Sequence, residues 1–192
     1  MTSSPDNPIS REVLRRRIFL GLFAALAVAL HTMEALLPSP APWFRLGFAN
    51  IFTLTALFLF GARAAWSVAL TRIGVGSLFL GTLFAPGFFL SLAGGVLATL
   101  LMVVAKDLCG RKIGPVGVSA IGAAGHATGQ MIVAWWLLVQ HAGVWLLYPY
   151  FLLFALATGV VNGLVADYLL EILKGHPAFK EDRQGNPSSD LV

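Results

Sequence analysis

Polar and apolar residues along this chain are sorted into long blocks rather than interleaved. A polar segment over residues 1–17 ends in Arg15, Arg16 and Arg17, and an apolar run over 18–37 follows, closed by Pro38, Pro40 and Pro42. Further apolar runs cover about 47–62, 64–85, 88–105, 116–140 and 144–173, and a charged tail with Gly, Pro and Ser fills 174–192. A helix that crosses a bilayer needs about 20 apolar residues. The pattern therefore predicts six transmembrane helices over 18–173, the second the shortest, flanked by a polar N-terminal tail and a disordered C-terminal one. Pro86-Gly87 is expected to mark a turn, and Pro149 either to start the last helix or to kink it. The first run has the outline of a signal peptide. Its length, the His31 and Glu34 within it and the want of a small-x-small cleavage site predict a retained helix instead.

Composition agrees with that pattern. Of the 192 residues, 57% are hydrophobic and 11% charged, against about 25% charged in an ordinary soluble domain. So little charge cannot cover a water-soluble globule, and no stretch remains for a separate catalytic domain. With a cytoplasmic N-terminus, eleven cationic residues fall on cytoplasmic segments, Arg45 alone lies in an outer loop, and Arg72 lies within the third span. That asymmetry obeys the positive-inside rule, so both termini are expected in the cytoplasm. It also accounts for the net charge of +4 through topology and lipid headgroups, with no nucleic acid as partner.

A few polar residues inside apolar runs are the candidates for chemistry. Arg72 sits about 12 Å into the third span. Its small and polar neighbours Thr71, Gly74, Gly76 and Ser77 favour an interior position over snorkelling to the interface, with Asn162, His126 and Gln130 at comparable depth as acceptors. On the fifth span, Ser119, Gly122, His126 and Gln130 form one stripe, suited to close packing or to lining a pocket. His31 and Glu34 share a helical face, and either reach water at the interface or face a wet interior. Asn50, Ser91 and Trp43, near Arg45 and together with Glu34, could form a cavity mouth, while Trp43, Trp145, Tyr148 and Tyr150 also suit an interfacial aromatic belt. Gly21, Ala25 and Ala29 recur every fourth residue of the first span, a strip that lets another backbone approach closely. That backbone belongs either to this chain or to a partner. The single Cys109 and scattered His residues predict no metal site and no cofactor. The sequence has no P-loop, no HExxH and no GxSxG. It also lacks the clustered carboxylates that hold Mg²⁺ against a diphosphate, so no enzymatic activity is expected.

Four ordered motifs carry a resemblance. They are Arg45-Leu-Gly-Phe-Ala-Asn50, Arg72-Ile-Gly-Val-Gly-Ser77, Ser91-Leu-Ala-Gly94-Gly95 and Gly122-Ala-Ala-Gly-His126-Ala-Thr-Gly-Gln130. The chain resembles the Gx transporter family, also catalogued as heptaprenyl diphosphate synthase component I, although Ala127 stands where that family has Asn. The resemblance implies likeness to the substrate-binding S components of energy-coupling-factor (ECF) transporters. It thus implies an all-α, six-helix bundle in the cytoplasmic (inner) membrane, with a pocket open to the outside. It further implies that Ala25 and Ala29 dock a transmembrane coupling subunit, itself joined to ATPases. The expected function is capture of a vitamin-like small molecule by Glu34, Arg45, Asn50, Arg72, Ser91, His126 and Gln130. The alternative is a non-catalytic membrane accessory of isoprenoid, quinone or extracytoplasmic flavin metabolism.

Overall fold

A computed structural model describes residues 8–36 and 47–175, and every regular element in them is helical. Six α-helices follow in order: α1 (Pro8–Leu36), α2 (Asn50–Phe60), α3 (Ala62–Phe79), α4 (Pro86–Cys109), α5 (Pro115–Val133) and α6 (Tyr148–Gly175). A π-helical turn (Ala134–Val139) and a 3₁₀ turn (Ala142–Leu147) connect α5 to α6. α1 starts ten residues before its apolar run, so the triple arginine is helical rather than part of an extended tail. Prolines begin four of the helices, with Pro8 opening α1 and Pro115 opening α5. Pro86 opens α4 and Pro149 stands second in α6, positions at which the missing N–H costs nothing because the first turn has no acceptor for it. The expected turn at Pro86-Gly87 therefore lies earlier, where Thr82 N–H bonds the Ser77 carbonyl and Ala85 N–H that of Thr82.

Three helical stretches are long and apolar enough to cross a bilayer: Val13–Leu36, Pro86–Cys109 and Ala142–Gly175. The 11 residues of α2 span only about 17 Å. α3 and α5 are long enough, but each buries polar side chains: Arg72 and Ser77 on α3, and Ser119, His126 and Gln130 on α5.

Packing relies on small residues. A Cβ on Gly129 would stand 2.6 Å from the Ala93 carbonyl oxygen, and one on Gly125 would stand 3.1 Å from that of Leu97, so α5 lies directly on the α4 backbone. Gly159 and Gly163 of α6 meet α5 in the same way, at the Cα atoms of Ala120 and Val116. Lipid tails offer no hydrophobic drive for helix association, and close backbone approach supplies dispersion contact instead. Where the bundle is wider, larger side chains fill it: Leu54, Leu57, Met102 and Val118 form one buried cluster, and Phe23 with Val68 anchors another.

The short α2 ends at Gly61, whose φ of +84° ends the helix and turns the chain into α3. Two cations satisfy the last α2 carbonyls: Lys106 Nζ donates to Leu57 O at 2.8 Å, and Arg16 Nη2 to Phe60 O at 3.2 Å. Positive charge at this pole also complements the helix dipole. Replacing Lys106 by Met should therefore lower stability by about 1.5–3 kcal/mol, the usual worth of a charge-assisted hydrogen bond, as read by thermal unfolding in detergent.

Candidate functional site

The α1 face that turns inward carries Phe23, Ala27, His31 and Glu34, all buried. Their spacing of three and four residues keeps them on one stripe. Neither His31 nor Glu34 reaches the surface. Glu34 Oε1 accepts the Gly47 N–H in a short hydrogen bond and the Phe48 N–H at 3.2 Å. The carboxylate thus satisfies the backbone just ahead of α2, where its charge also suits the positive helix pole.

Gly47 is the pivot of the cluster. Its φ is +76°, and a Cβ there would come within 3.1 Å of Asn50 Nδ2 and 3.3 Å of His126 Cδ2. Its carbonyl accepts the Asn50 N–H at 3.0 Å and Asn162 Nδ2 at 3.3 Å. A side chain at this position would strain the backbone and press on Asn50 of α2 and His126 of α5.

Arg72 is 1% exposed, so it does not snorkel. Its Nη2 donates to Asn50 Oδ1 at 2.6 Å, and Glu34 is the acidic group that acts on it electrostatically. The acceptor is thus Asn50, where the spacing of the spans suggested Asn162, His126 or Gln130. Asn50 opens the short α2, which ends at Gly61 and is followed directly by α3. Gly94 and Gly95 of α4 make room for the rest: His126 and Gln130 lie over Gly94, and Arg72 Nη2 lies over Gly95. Ser91, one turn earlier on α4, is 2% exposed.

The structure thus brings Glu34, Asn50, Arg72, His126 and Gln130 into one buried cluster around Gly47, Gly94 and Gly95, with Ser91 beside it on α4. Arg45 and Trp43 lie outside the described residues. Asn162 joins the cluster through the Gly47 carbonyl but was not among the expected site residues, and Thr53, one turn after Asn50 on α2, is a further buried polar side chain. Among the described residues, Thr53 Oγ1, Arg72 Nε, Ser91 Oγ and Asn162 Oδ1 are buried with no hydrogen-bond partner. Each such atom costs about 1–3 kcal/mol. No group of three His, Cys, Asp or Glu side chains able to hold a metal ion occurs among the described residues.

On the opposite face of α1, Gly21, Ala25 and Ala29 are exposed, and nothing stands within 4 Å of a Cβ on Gly21. With Thr71, Val75 and Phe79 of α3 they line a groove of about 950 Å³. No helix of the described chain fills it. The aromatic residues at the α5–α6 connection join one another: Trp145 lies tilted against Trp135 and edge-on to Tyr148, and the Tyr148 hydroxyl shares a 2.7 Å hydrogen bond with Thr128.

The family model described as heptaprenyl diphosphate synthase component I matches residues 23–169, which include the whole cluster. The chain belongs to that family. The component I match begins within α1 and ends within α6, so it covers every helix that contributes a buried polar residue. No curated protein and no solved structure matches the chain.

Proposed function

We propose that this chain is the membrane-embedded binding subunit of a small-molecule uptake system. In this reading it crosses the inner membrane six times with both termini in the cytoplasm, and it works with a separate energising partner. The observation that carries the reading is the convergence of Glu34, Asn50, Arg72, His126 and Gln130 from four helices. Ionisable and amide groups are costly inside a membrane and are retained where they hold a substrate. The unpartnered atoms of Arg72, Ser91 and Asn162 supply both donors and acceptors, so the ligand is a polar molecule that presents both. A guanidinium at the centre favours an anionic one. Glu34 keeps that guanidinium neutralised until the ligand enters.

The groove beside Gly21, Ala25 and Ala29 receives a helix of the partner. Small residues permit backbone approach where lipid alone would gain little, and a family described as a component implies another component. That description favours a second reading, in which the chain is a non-catalytic membrane accessory of prenyl diphosphate synthesis. The missing carboxylate pair places any catalysis in the partner.

Mass spectrometry of small molecules that co-purify with the protein separates the two. A polar, water-soluble ligand lost in Arg72→Lys supports uptake, and a polyprenyl compound supports the accessory role. Ala25→Leu is expected to abolish capture of the partner from membranes while leaving the unfolding temperature unchanged, because the added atoms project into an open groove.

A further inference from the structure

A second cleft between α1 and α3, of about 270 Å³, lies at the end of the bundle remote from Glu34. Arg16, Arg17 and Arg63 converge on it, with Ser67 and the apolar side chains of Val13 and Leu20. Three features shape its positive potential. Arg63 stands in the first turn of the 18-residue α3, which has no acidic residue and where the positive helix pole already disfavours a cation. Among the described residues no carboxylate pairs with Arg17 or Arg63. Arg16 cannot swing away freely, because one of its N–H groups is held by the Phe60 carbonyl. The Ser67 hydroxyl donates to the Arg63 carbonyl, so the donors that face the cleft are guanidinium N–H groups, five to each arginine.

Three like charges in one cleft repel unless an anion joins them. Guanidinium forks match the paired oxygens of a phosphate. The geometry points to a phosphate-binding site formed by Arg16, Arg17 and Arg63 at the α1–α3 cleft. The ligand is the phosphate of an anionic lipid headgroup or of a soluble phosphorylated molecule. Val13 and Leu20 give the lipid source an apolar wall beside the charged one, as in basic pockets between membrane helices. This site is independent of the buried cluster and of what that cluster binds.

The test uses the full chain in two arms. In the first, the protein in nanodiscs of equal phosphatidylglycerol and phosphatidylcholine is released into native mass spectrometry. One phosphatidylglycerol is expected to be retained selectively, and Arg17→Gln with Arg63→Gln should weaken retention about 30-fold. In the second, inorganic pyrophosphate is titrated into the detergent-solubilised protein by calorimetry. Selective lipid retention without pyrophosphate binding assigns the lipid source, and pyrophosphate binding lost in the double variant assigns the soluble one. Arg16 stays in place because it caps α2. Arg17→Lys with Arg63→Lys, which keeps charge but not the fork, should show intermediate binding. Equal retention of both lipids together with no pyrophosphate binding overturns the proposal. So does a double variant that binds like the parent.

Discussion

Arg72→Met should lower the unfolding free energy by about 3–5 kcal/mol, the cost of removing one partner from a buried charge pair. The change removes from the buried Glu34 carboxylate a cation that acts on it electrostatically, and leaves Asn50 Oδ1 without its 2.6 Å donor. Because Asn50 begins α2 and Glu34 holds the two N–H groups ahead of it, the damage should spread to the whole short helix. Thermal unfolding in detergent measures the loss. Adding Glu34→Gln to Arg72→Met should recover part of it, since a neutral amide leaves no unpaired charge behind. A double variant no more stable than Arg72→Met alone would show that the two side chains do not act as a pair.

The second large effect is expected at Gly129. Gly129→Ala places a methyl group 2.6 Å from the Ala93 carbonyl oxygen and 3.0 Å from the Gly94 nitrogen. Both are backbone atoms that cannot rotate away. Overpacking of this kind costs about 1–3 kcal/mol, and the relief available is to separate α5 from α4. That separation moves His126 and Gln130 away from Gly94, so loss of the co-purifying ligand should exceed what the stability change alone explains. Gly21→Ala and Gly74→Ala are the controls. Neither Cβ meets an atom within 4 Å, and alanine favours a helix over glycine by roughly 0.8–1.0 kcal/mol. Both should be neutral or slightly stabilising. Equal damage from Gly21→Ala and Gly129→Ala would contradict the packing described for α5.

Much of the helical layout was legible in the chain because the bilayer imposes it. Long apolar blocks and clustered cations report requirements that hold whatever the neighbouring helix is, whereas Pro86, expected in a turn, opens α4. The inward position of Arg72 was legible for a similar reason, since Thr71, Gly74, Gly76 and Ser77 make a poor lipid-facing surface. The short extent of α2 was visible as the shortest run. The Gly61 turn that sets its end was not singled out, because one glycine among 20 carries no label of its conformation.

What the amino-acid sequence determined by itself is which segments become apolar helices and which polar residues are carried into them. Hydropathy and periodicity are local properties, and they need no knowledge of neighbours. Tertiary structure decided the pairing. Arg72 bonds Asn50 rather than Asn162, Glu34 holds the start of α2, and the small-residue strip of α1 stays open while glycines of α5 and α6 close the bundle. Those outcomes depend on how far two backbones approach each other, a distance set jointly by side chains from different helices and written in no single segment.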